Sequence, residues 1–153
     1  MSREETKESY EKEVFLNFVK MTNLHVNYET IKKGSENNNE PDIICKLKSN
    51  KWVGFELGRL TDKNLRQMVN KWEPINGEYL RTKDNSEEIT NKKLNSNYST
   101  EYPTELILYK ENPIITPDNV IIPRIKPMCQ KTHHNYSKIW FMGNDIELLY
   151  ESS

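Results

Sequence analysis

Cysteine, glycine and histidine are scarce in this chain, with two, five and three among 153 residues. Cys45 and Cys129 stand far apart, and neither has a second Cys at metal-ligand spacing beside it. That removes the basis for a disulfide framework or a thiolate zinc site and leaves two reduced thiols. The adjacent His133 and His134, in a polar loop, are assigned no ligand role, and His25 reads as a satisfied core or surface histidine. No apolar run approaches the roughly 20 residues needed to span a bilayer. The charged opening MSREETKESYEKE leads into no apolar export segment, so a cytoplasmic protein without a membrane partner is expected. An excess of one charge is missing too: 22 Lys and Arg stand against 23 Asp and Glu, for a formal net charge of -1. Any grip on nucleic acid must therefore come from a local basic face.

What is present suits one domain over residues 1–153. A chain of this length buries roughly two-thirds of its unfolded surface without covalent staples. Eight Tyr, four Phe and three Trp supply bulky core material even though only 35% of the residues are hydrophobic.

Along residues 4–22, Val14, Phe15, Phe18 and Val19 recur at helical spacing opposite Lys12, Glu13, Asn17 and Lys20, which predicts an amphipathic helix. Residues 24–31 read as a strand, and KKGSENNNE as a loop. PDIICKLK and KWVGFELGRL are β-rich runs joined at Ser49 and Asn50, which predicts an antiparallel hairpin. Leu65, Met68, Val69 and Trp72 predict a helix over 61–72, capped by Thr61 or Asp62. Residues 74–103 read as a polar excursion with scattered apolar anchors. TELILYK is a buried strand. Residues 120–130 have helical periodicity that Pro123 and Pro127 should make irregular. KIWFM and IELLY, joined by Gly143-Asn144-Asp145, form a last hairpin, with Tyr136, Trp140 and Phe141 as packing residues. Strands and helices in this mixture make an α/β sheet flanked by helices.

Two acids open the question of chemistry. Asp42 follows Pro41 at the start of one hairpin arm, and Glu56 stands in the other, within Glu56-Leu57-Gly58. Side chains alternate along a strand, so the loop decides whether the acids meet. A two-residue loop of Ser49 and Asn50 pairs Asp42 with Leu57 and separates the acids across the sheet. A three-residue loop, Ser49 to Lys51, pairs Asp42 with Gly58 and makes the acids diagonal neighbours. Gly54 and Gly58 flank Glu56 on its own face, which reads either as open space around the acid or as tight packing. Glu11 falls in line with Val14, Phe15 and Phe18, where a carboxylate needs a partner unless it lies at an exposed first turn.

Pro41-Asp42 and Glu56-Leu57-Gly58, in the order helix, three strands, helix, resemble the signature of the PD-(D/E)XK nuclease superfamily. The resemblance covers about half of the chain and the later strand at Thr104. It implies a restriction-endonuclease-like mixed central sheet and a Mg²⁺- or Mn²⁺-dependent nuclease acting on DNA or RNA. In that reading Asp42, Glu56 and the Leu57 carbonyl hold the ion, with Glu11 as an auxiliary ligand. Hard divalent ions take oxygen ligands, bind the scissile phosphate and lower the pKa of an attacking water. Gly58 stands where the family has a lysine. The pattern is similar to that of cap-snatching endonucleases, whose lysine comes from the following helix. The resemblance thus nominates Lys71, ahead of Lys63, on the helix predicted over 61–72, and then Lys46 on the strand of Asp42. Against it stand a catalytically degenerate member that binds a protein, nucleic acid or second copy of itself, and a small interaction module in which the two motifs coincide by chance.

Overall fold

The computed structural model describes residues 3–61, 85–98, 100–110 and 116–152. In chain order these form α1 (Arg3–Thr22), β1 (Val26–Lys33), β2 (Ile43–Leu47), β3 (Trp52–Leu60), α2 (Ser86–Leu94), β4 (Thr104–Lys110), α3 (Asp118–Lys131), β5 (Lys138–Met142) and β6 (Ile146–Glu151). The six strands make one mixed sheet in sequence order. β3, β4 and β5 run parallel, and the pairs β1–β2, β2–β3 and β5–β6 are antiparallel. This is the α/β class read from the sequence.

Alternation along the strands divides the core into two layers. Ile43, Cys45, Val53, Phe55, Leu57, Ile107 and Tyr109 point to the side of α1, where Phe15, Phe18 and Val19 meet them. The rings of Phe15 and Phe55 lie 4.8 Å apart, and the Phe18 ring meets Trp140 edge-on at 5.4 Å. Burying each such ring contributes about 2–3 kcal/mol. Leu60, Leu106, Leu108, Ile139 and Phe141 point the other way, onto Leu94 of α2 and Ile121, Ile125 and Cys129 of α3. The two parallel crossovers thus lay α2 and α3 on one face, opposite α1.

α1 stops at a left-handed Asn23 (φ 58°), and the Leu24 N–H closes back on the Val19 carbonyl at 3.1 Å. That 6→1 closure satisfies a terminal carbonyl of the helix. α3 is a continuous helix despite its two prolines, where an irregular one was expected. Pro123 and Pro127 both face solvent, while Ile121, Ile125 and Cys129 form the buried stripe. The lost N–H bonds therefore fall on the outer side, where water satisfies the freed carbonyls. The excursion read over 74–103 contains α2, with Glu87 and Glu88 in its first turn and Lys92 and Lys93 in its last. The helix expected over 61–72 lies outside the described residues beyond Thr61. Among the described residues, no helix is long and apolar enough to cross a membrane.

Glu105 on β4 accepts a hydrogen bond from Trp140 Nε1 at 2.7 Å. Burial pushes its carboxyl pKa up, against the pull of that bond and of Lys138. The folded state thus holds this proton more tightly than the unfolded chain. The stability Glu105 contributes is complete below the unfolded carboxyl value near 4.3 and is lost as pH rises through the folded one. Glu105→Gln keeps an acceptor for Trp140 and removes that loss. Urea unfolding should show the variant gaining on the wild type between pH 4 and pH 8; a variant that loses ground over that range would contradict the assignment.

Candidate functional site: two interlocked carboxylates and a helix lysine

The β2–β3 hairpin turns through Lys48, Ser49 and Asn50. Leu47 N–H donates to the Lys51 carbonyl, and Asn50 N–H to the Leu47 carbonyl, both at 2.9 Å. Asn50 takes the left-handed position (φ 69°), which Asn tolerates better than the lysine after it. Ile44 then stands opposite Gly54 and Ile43 opposite Phe55, so the next pair is Asp42 with Glu56. The Ser49-Asn50 loop, which would have parted the acids, is not formed. The acids share a face, through a three-residue loop placed one residue earlier than Ser49 to Lys51.

Each carboxylate is held by the other strand's backbone. Asp42 N–H donates to Glu56 Oε1 at 3.1 Å, and Leu57 N–H donates to Asp42 Oδ2 at 2.9 Å. Glycine makes room for this. A Cβ on Gly34 would collide with the Pro41 carbonyl, and one on Gly54 with the Pro41 ring. Pro41 is thereby wedged between two glycines and sets the start of β2. At the two glycines the tight-packing reading holds: Tyr102 covers Gly54, and a Cβ at Gly58 would lie 2.6 Å from Leu108 Cδ2 and 3.4 Å from Lys93 Cγ.

Glu11 joins the acids from α1. It is half-buried, within reach of Asp42, with Lys7 Nζ at 3.8 Å on its outer side. Burial pushes its carboxyl pKa up. Asp42 is pushed up to about 8, first by burial, then by the neighbouring charges of Glu56 and Glu11, while the Leu57 N–H pulls it back. Burial and the crowding of Asp42 by two further carboxyls favour a proton or a cation at that position.

From α2, Lys93 reaches Glu56 directly. Its Nζ lies 2.7 Å from Glu56 Oε2, and Glu56 is only 7% exposed. Tyr136 donates to the Lys93 carbonyl at 2.7 Å and so pins the C-terminal turn of α2. Tyr98 lies beside this network, its ring 6.1 Å from that of Tyr136, and burial together with the neighbouring Glu56 pushes its phenol pKa up. Sequence reading passed over Lys93. The signal was there: acids in a first turn and lysines in a last turn mark a short helix, and Thr90 and Leu94 give it a buried stripe. Lys46, by contrast, sits opposite Trp52 with its Nζ 5.6 Å from that ring, away from the acids. Lys63 and Lys71 lie outside the described residues. Of the histidines, His25 is exposed, and His134 bridges the Cys129 carbonyl and the Tyr136 N–H.

Glu11, Asp42, Glu56, Leu57 and Lys93 open on one cavity of about 520 Å³, whose wall also carries Arg59. That volume is in the range of small-ligand sites. Among the described residues, no group of three His, Cys, Asp and Glu side chains is arranged to hold a metal ion by itself. The donors on offer are hard oxygens, and they leave several positions of an octahedral shell to water and ligand, which is the habit of Mg²⁺ and not of zinc. Comparison with protein-family models, with curated proteins and with solved structures finds no match for this chain.

Proposed function

We propose that this protein is a Mg²⁺- or Mn²⁺-dependent nuclease of restriction-endonuclease-like, PD-(D/E)XK type, hydrolysing phosphodiester bonds of DNA or RNA. The observation that carries the reading is the interlock of Asp42 and Glu56 from paired strands, with Lys93 on the second carboxylate. Asp42, Glu56 and the Leu57 carbonyl would hold the ion, and Glu11 would contribute from α1. When bound, the ion supplies Lewis acidity to the scissile phosphate and acidifies water.

The chain's own residues do the rest. The backbone bonds to Asp42 and Glu56 fix both carboxylates before substrate arrives, so their geometry costs nothing at the moment of reaction. Lys93 takes the part of the lysine absent at Gly58. The space a side chain at 58 would need is taken by Leu108 Cδ2, with the Lys93 stem in contact beside it. Its ammonium, anchored on Glu56, orients the attacking water and stabilises charge developing on the phosphate. Tyr136 is a positioning residue that acts through Lys93. Removing such a supporting contact costs about 10- to 100-fold in metalloenzymes. Tyr136→Phe should lower kcat by that order and leave KM near its original value; an unchanged kcat would detach Tyr136 from the site.

The direct test is cleavage of single- and double-stranded oligonucleotides with Mg²⁺, Mn²⁺ or EDTA. Metal-dependent cleavage supports the proposal. Absence of cleavage with either ion, with oligonucleotide or protein binding retained, would identify a degenerate member of the fold that works by binding.

A further inference from the structure

We infer that Trp52, with Lys32 and Lys46, forms a stacking platform for a single-stranded polynucleotide, on the same face of the sheet as the carboxylate site and separated from it by Pro41 and Tyr102 over Gly54. The inference rests on the nuclease reading for what happens at the site, but binding at the platform does not require it.

Trp52 opens β3, two alternations before Glu56, so both point to the same face. At about 3.3 Å per residue, roughly 13 Å of strand separates them. Its neighbours on that face are Lys46, directly across on β2, and Lys32, across from Ile44 on β1. The two ammonium groups lie 5.6 and 5.3 Å from the centre of the indole ring. β4 begins opposite Gly54, so Trp52 has no β4 residue beside it, and its side chain is left 38% exposed.

The charge here is opposite to that of the site. Between Asp42 and Glu56 the sequence holds Lys46, Lys48 and Lys51 and no acid. The chain as a whole has a formal net charge of -1, so Lys32 and Lys46 on the Trp52 face, with Lys48 and Lys51 at the hairpin end, make a local concentration of positive charge. An indole flanked by lysines suits a base with its phosphates. The ring stacks on any base, and the lysines exchange the ring edge for the backbone charge. A duplex keeps its bases stacked inside and offers the indole nothing, which selects a single strand.

The test measures binding of fluorescently labelled oligothymidylate and oligouridylate to the full chain by anisotropy, in EDTA so that nothing is cleaved. Trp52→Ala should weaken binding about 5- to 150-fold, the range for losing one base–aromatic stack. Trp52→Phe should keep most of it. Lys32→Ala with Lys46→Ala should flatten the dependence of log affinity on log salt by about 1.4, near 0.7 for each lost contact. Circular dichroism melts check that each variant is folded. Binding of one oligonucleotide and not the other assigns the platform to DNA or to RNA. Three results would overturn the inference: no oligonucleotide bound, Trp52→Ala binding as tightly as the wild type, or a duplex competing equally with a single strand. The two readings separate cleanly. Trp52-dependent binding without metal-dependent cleavage removes the nuclease and keeps the platform. Cleavage with Trp52-independent binding does the reverse.

Discussion

Asp42→Asn is expected to lower Mn²⁺-dependent phosphodiester cleavage by at least about 10²- to 10³-fold, the usual cost of deleting one preorganised electrostatic group. The amide keeps an acceptor for the Leu57 N–H, so the interlock with β3 survives. It also removes a carboxyl that burial, Glu56 and Glu11 push up to about 8, so that the folded state must hold its proton at neutral pH where the unfolded chain releases it. Without that cost the variant should melt no lower than the wild type at neutral pH, a direction opposite to that of most buried substitutions. Activity lost with stability kept is the signature of a carboxylate retained for chemistry. If instead Asp42→Asn cleaves at the wild-type rate, the site assignment fails.

Lys93→Met is expected to affect both activity and stability. It leaves Glu56 buried without its cation, and breaking a buried pair from one side costs about 3–5 kcal/mol. Lys93 is itself a quarter exposed, so solvent compensates in part and about 2 kcal/mol is the expected loss. Cleavage should fall by about 10²-fold or more. Pairing the change with Glu56→Gln separates the two effects. The double variant should recover most of the stability, because no unpaired charge remains, and none of the activity. Recovery of activity in the double variant would reduce the Lys93–Glu56 pair to a structural salt bridge.

How much of this was legible beforehand depended on the range of the interactions involved. β4 was readable to the residue, since TELILYK is a continuous β-favouring run, and α1 followed from the spacing of Phe15, Phe18 and Val19. Asp42 and Glu56 could be singled out, but not their relation. That depended on whether the turn used Ser49-Asn50 or began at Lys48, a choice made by the left-handed preference of Asn50 and by Pro41 seating against Gly34 and Gly54. Lys93 was passed over for a different reason. It sits 37 residues from Glu56, on a helix of nine residues in a polar stretch, and short helices draw their stability from tertiary packing more than from propensity. Gly58 carried the clue in reverse. A missing side chain there marks the place where Leu108 and Lys93 close over the sheet.

Anomalous diffraction from crystals soaked in Mn²⁺ tests the metal centre most directly. The expected result is one peak between the Asp42 and Glu56 carboxylates, with the Leu57 carbonyl in its shell, at ligand distances of about 2.1 Å, and with the peak lost in Asp42→Asn. A peak elsewhere on the molecule with none between these two carboxylates would contradict it.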